Sequence, residues 1–125
     1  MTRFKRETGI RASFAADVAH VTLSPRTCGE LARIVQEALV NVRRHSQATA
    51  VHVRVAAADS TLTLIIEDNG RGFAFDGRLE DDELWRERRG PAVIHERARS
   101  IGAFLTVNST PGRGARLDVQ RPYAC

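Results

Sequence analysis

Leu31-Ala32-Arg33-Ile34-Val35-Gln36-Glu37-Ala38-Leu39-Val40-Asn41-Val42-Arg43-Arg44-His45 carries two periodic patterns at once. Leu31, Ile34, Val35, Ala38, Leu39 and Val42 recur at three- and four-residue spacing, the apolar stripe of a helix laid on a core. Glu37, Asn41, Arg44 and His45 recur at the same spacing on a second face, so a carboxylate, an amide, a guanidinium and an imidazole follow one another along successive turns. A solvated polar face accounts for any two of them. The order of all four asks for more. Thr27 followed by Glu30 reads as a capping box, which predicts a helix starting there and running to about Ser46, with Ser24-Pro25 breaking the backbone ahead of it.

The remaining chain supplies a sheet for this helix to cover. Ile10, Ala12 and Phe14 alternate with Arg11 and Ser13, the period of a half-buried strand over residues 9–15. Val51, Val53 and Val55, then Leu62, Leu64 and Ile66, alternate in the same way on either side of Ala58-Asp59-Ser60 and predict a hairpin. Residues 74–89 are dense in charge of both signs around Leu84-Trp85 and lack clean periodicity, so they read as a mobile loop with one short helix at most. Pro91 suits a helix first turn, and Val93, Ile94, Ala98 and Ile101 give that helix an apolar stripe up to Gly102. Phe104 to Val107 and Ala115 to Val119 are strands joined by the turn Ser109-Thr110-Pro111-Gly112-Arg113-Gly114. The order strand, helix, hairpin, loop, helix, hairpin predicts an α+β fold: a two-layer α/β sandwich with a mixed, mostly antiparallel sheet and helices on one face.

A chain of 125 residues, 42% hydrophobic, fits one domain over residues 1–125. The net charge of +4 permits an anionic ligand. The arginines are interleaved with acids and no reading helix is apparent, so nucleic acid is not an expected partner. Cys28 and Cys125 lack metal-ligand spacing and read as free thiols of a cytoplasmic protein. No apolar run approaches membrane-spanning length, and Met1 to Arg6 is not followed by the apolar segment of a signal peptide.

Asp68-Asn69-Gly70-Arg71-Gly72-Phe73 follows an apolar strand directly. An Asp there, with glycines that let backbone approach a ligand, can accept a hydrogen bond from the exocyclic amine of a purine. Common turn chemistry explains the same residues. Glu37 and Asn41, adjacent on the helix, offer two oxygens to a hard cation such as Mg²⁺, which takes few protein ligands and fills its shell with water and phosphate. Gly90, ahead of a helix, and the Gly112 to Gly114 turn suit anions, and loop punctuation explains them equally well.

In combination these motifs resemble the ATP-binding catalytic domain of sensor histidine kinases, in the Bergerat-fold ATPase superfamily. The resemblance covers residues 9–122. Residues 34–46 are similar to the N box of the subfamily that signals to NarL-type response regulators. Asp68 to Phe73 are similar to its G1 box, Gly90 to Arg97 to its G2 region, and Ser109 to Gly114 to its last glycine turn. The resemblance implies that Asn41 coordinates a Mg²⁺ bridging the phosphates and that Glu37 orients or deprotonates a group near the γ-phosphate. Arg44 and His45 would approach the phosphates. Asp68 would read the adenine amine while Gly70, Gly72 and Phe73 shape the passage of the base. Residues 74–89 would form an ATP lid hinged at Gly90, with Gly112 and Gly114 of the last glycine turn among the nucleotide-binding residues.

Four positions depart from the pattern, Ile94 and His95 standing where the G2 region usually has Met and then Arg. Val93 stands where the G2 region usually has a second glycine, and a β-branched residue resists positive φ. Ala115 stands where the final glycine is usually followed by Thr. No phosphoacceptor-histidine helix precedes Gly9, so the implied partners are ATP, a histidine-bearing dimerisation domain of a homodimeric parent that is free to be anchored in the inner membrane, and a NarL-type response regulator. The alternatives are a degenerate nucleotide-binding or interaction module and an anti-sigma-type serine kinase.

Overall fold

The computed structural model describes residues 9–18 and 21–122. Its elements in chain order are β1 (Arg11–Asp17), α1 (Pro25–Asn41), a π-helical turn (Val42–Ser46), β2 (Ala50–Ala58), β3 (Thr61–Asp68), β4 (Gly77–Leu79), α2 (Asp81–Glu87), α3 (Ala92–Ser100), β5 (Phe104–Thr110) and β6 (Gly114–Pro122). One six-stranded sheet runs in the order β1-β2-β3-β6-β5-β4. Only β1 and β2 pair in parallel, and α1 supplies the crossover that parallel neighbours require. The other ladders are antiparallel, so the expected mixed, mostly antiparallel sandwich is what the chain adopts.

Alternation along the strands sorts residues onto two faces. Val53, Ile66 and Leu117 stand side by side across β2, β3 and β6 and are buried beneath the helices. On the opposite face His52, Glu67 and Arg116 form a cross-strand row without a helix above them. From the helical layer Ile34 and Ala38 of α1, Leu84 of α2, and Ile94 and Ala98 of α3 close the core. The β2–β3 turn is tight because Asp59 and Ser60 both hold positive φ, the twist a two-residue hairpin needs.

Several local expectations give way. The helix begins earlier than Thr27: Ser24 is the N-cap, its Oγ accepting the Thr27 amide at 3.1 Å, and Pro25 takes the first turn, where a missing N–H is harmless. Glu30 instead pairs with Arg33 and Arg97. Phe14 is 56% exposed, because β1 lies at the sheet edge and the helical layer does not reach it.

Residues 74–89 hold the short helix that the reading allowed and an edge strand that it did not. Residues 77–79 add the edge strand β4 to β5, and α2 inserts Leu84 into the core with a capping box between Glu80 and Glu83. A three-residue edge strand and one buried leucine leave no periodicity to detect. On α3 the buried row is Ile94, His95, Ala98 and Ile101, while Val93 faces solvent. Cys28 is free and exposed, and Cys125 lies outside the described residues. No helix among the described residues is long and apolar enough to cross a membrane.

Candidate functional site

The end of α1 and the end of β3 converge on one cavity of about 450 Å³. Ala38, Val42, Ile66, Phe73, Ile94 and Leu117 give it apolar walls, and Asn41, Asp68 and Arg71 supply its polar groups. A cavity that is mostly apolar with a few convergent polar groups is the ordinary form of a small-molecule site.

Asp68 sits half-buried at the last register position of β3, opposite Val51 and Ala115. Its Oδ1 accepts the Gly70 amide at 2.8 Å. Burial pushes its carboxyl above the usual value. The Gly70 hydrogen bond opposes that shift, and the neighbouring Glu67 charge adds to it. The second carboxylate oxygen has no protein partner among the described residues and is free to accept from a ligand.

The glycines are placed by close backbone approach. A Cβ on Gly72, at φ +74, would stand 2.8 Å from the Gly114 carbonyl oxygen and 2.9 Å from Ser109 Oγ. A Cβ on Gly114, at φ +126, would fall 2.0 Å from the Asp68 carbonyl oxygen. The Gly112 amide donates to the Arg71 carbonyl at 2.8 Å. The two glycine segments are therefore one stitched structure, the turn after β3 lying on the β5–β6 hairpin. Gly70 is buried without a positive φ.

Other predicted residues fall away from the cavity wall. Glu37 is half-buried one turn before Asn41 and does not line the cavity. Arg44 is exposed in the π-helical turn, whose wider ladder takes residues after Asn41 out of the α-helical line. The side chain of His45 lies outside the described residues. Gly90 holds φ +81 against Leu84 and hands the chain to Pro91, which does line the cavity. Val93 has ordinary helical backbone in the first turn of α3, so no positive φ is asked of it. Ala115 is buried and lines the cavity.

Sequence reasoning passed over three residues. Ser109 is 3% exposed, its Oγ accepting the Phe73 amide at 2.8 Å, which fixes the turn after β3. Asn69 Oδ1 accepts from the amides of Thr49 and Ala50 at 2.9 and 3.0 Å, clipping that turn to the start of β2. Arg71 places a cation on the cavity wall. Each stood inside a quoted motif, and turn composition alone gave it no separate role.

The chain is similar to known sensor kinases. It is 41% identical to "Sensor protein VraS" of Staphylococcus aureus (strain COL) over 92 residues, 74% of this chain and 25% of that protein. It is 37% identical to "Sensor histidine kinase LiaS" of Bacillus subtilis (strain 168) over 106 residues, 85% of this chain and 28% of that protein. The chain thus spans about a quarter of the length of these relatives. Its fold is shared by the histidine kinase AdeS of Acinetobacter baumannii, with TM-score 0.73 and 15% identity over 99% of this chain and 59% of that one. The ATP binding domain of PrrB from Mycobacterium tuberculosis also shares it, with TM-score 0.66 and 21% identity over 98% and 90% of the two chains. The profile of the histidine kinase-, DNA gyrase B- and HSP90-like ATPases matches residues 29–124. With that match taking in most of α1, both glycine turns and every residue that lines the cavity, the chain belongs to this ATPase family.

Proposed function

We propose that this chain is the ATP-binding catalytic module of a two-component sensor histidine kinase, donating the γ-phosphoryl group of Mg-ATP to a histidine on a separate dimerisation domain. The observation that carries the reading is that Asn41 and Asp68, far apart in sequence, share one apolar cavity. In this reading Asp68 accepts the exocyclic amine of adenine, with the Gly70 amide holding its other oxygen in place. Ala38, Ile66 and Leu117 sandwich the base, and Gly72 keeps the opposite backbone close. Glu37, one turn from Asn41 and half-buried, orients or deprotonates the group that meets the γ-phosphate.

The donor chemistry at Asn41 fits Mg²⁺: its amide faces the cavity, and its side chain makes no hydrogen bond to the described residues. Asn41 would hold the ion, which when bound neutralises phosphate charge. Arg44 and His45 follow on the phosphate side, and Gly90 is the hinge of the segment over the nucleotide. The partners are ATP, the histidine-bearing domain of a homodimeric parent kinase and a NarL-type response regulator in the cytoplasm.

Calorimetric titration with ATP, with and without Mg²⁺, tests the reading. Asp68→Ala is expected to abolish binding, and Asn41→Ala to remove its Mg²⁺ dependence while leaving residual metal-free affinity. Unchanged binding in Asp68→Ala excludes the base-reading role.

A further inference from the structure

α2 is tied at its start by a single oxygen. Asp81 Oδ1 accepts from His95 Nε2 at 2.7 Å and from the Leu105 amide at 2.8 Å, joining α2 to α3 and to β5. A carboxylate offers no donor, so the proton of this bond lies on Nε2. The His95 ring is 2% exposed and stacks on Trp85 of α2, with ring centroids 3.8 Å apart and 19° between planes. The Arg99 guanidinium lies 5.8 Å from the Trp85 ring centroid. The groups facing His95 are thus Asp81 and Trp85 from α2, with Arg99 of α3 behind Trp85 and the Leu105 amide of β5 sharing the Asp81 oxygen.

His95 does not itself line the cavity, but it is tied to two residues that do. Its backbone N–H donates to the Pro91 carbonyl at 2.9 Å, and both Pro91 and its chain neighbour Ile94 line the cavity. One buried residue therefore connects the wall of the site to the segment beside it. That segment runs from Gly77, at φ +111, to Gly90, at φ +81, two positions able to absorb a backbone rotation.

We propose that His95 is a positioning residue: through its bond to Asp81 and its stack on Trp85 it holds residues 77–89 shut beside the cavity and sets how fast a bound nucleotide leaves. The proposal rests on the nucleotide-binding reading above. His95→Phe keeps the stack and loses the bond. Asp81→Ala removes the same bond from the other side, and Asp81→Asn keeps an acceptor.

Two measurements test it: stopped-flow release of the fluorescent nucleotide mant-ADP in the presence of Mg²⁺, and amide hydrogen exchange of the nucleotide-free protein. Losing a hydrogen bond to a carboxylate in His95→Phe or Asp81→Ala is expected to speed release about tenfold. Exchange should rise over residues 77–89 and stay at wild-type protection in α1 and β3, and Asp81→Asn should stay close to wild type in both. Unchanged release in His95→Phe and Asp81→Ala overturns the proposal, whatever the exchange shows. If wild type binds no analogue, the nucleotide reading fails, and the bridge is judged by exchange alone: equal protection of residues 77–89 in His95→Phe and wild type then overturns it.

Discussion

Asp68 is held in an apolar wall with one oxygen committed to the Gly70 amide, and its proton affinity is raised mainly by burial. An acid whose folded value is raised binds its proton more tightly folded than unfolded. Its contribution favours folding below the usual aspartate range and is lost as pH rises through the raised value. At neutral pH the ionised group therefore costs stability. Asp68→Asn is expected to melt at least as high as wild type at pH 7 while losing nucleotide affinity, and the difference in melting should shrink as pH falls into the aspartate range. Parallel melting curves at all pH values would contradict this. Gly114 makes a second prediction, because its Cβ would collide with the Asp68 carbonyl. Gly114→Ala should cost about 3 kcal/mol in urea unfolding, from strain and displacement of the β3 end. Gly102→Ala has nothing within 4 Å of the added methyl and should cost only about 1 kcal/mol for its positive φ. The glycines were visible in the sequence. Which of them lie against another backbone was not, since that depends on the partner strand.

Among the elements, α1 was the most legible, because its apolar stripe repeats over several turns and Ile34, Ala38 and Val42 are all buried. Its start was misread by three residues, since a Ser ahead of Pro caps as well as Thr ahead of Glu does. The least legible was α2, seven residues carrying five acidic or basic side chains. Leu84 is 1% exposed there, so Leu84→Ala should lower stability by about 2–4 kcal/mol. A leucine in a solvated loop would cost under about 0.5 kcal/mol. Equilibrium urea unfolding decides between these, with exchange over residues 77–89 as the local readout. His95 was noted only as a departure from the family pattern. Its burial, its bond to Asp81 and its stack on Trp85 needed two helices in place.

For the whole molecule, ligand linkage is the simplest check that the cavity is a nucleotide site. Mg-ATP at a hundred times its Kd should stabilise the native chain by about 2.7 kcal/mol and raise the melting midpoint by about 10 °C. Asp68→Ala should show no such rise. The sequence by itself determined the two-layer sandwich, the central helix and the two glycine turns, because these are written in local periods of burial and in turn chemistry that neighbours in the chain enforce. Only the tertiary structure decided which polar residues share a wall. Asn41 and Asp68 line one cavity because the crossover of α1 and the antiparallel register of β3 bring the ends of two elements to one rim, whereas Arg44 leaves that rim where the helix widens into a π turn. Contact between distant residues is fixed by packing and register, and no single segment carries that information.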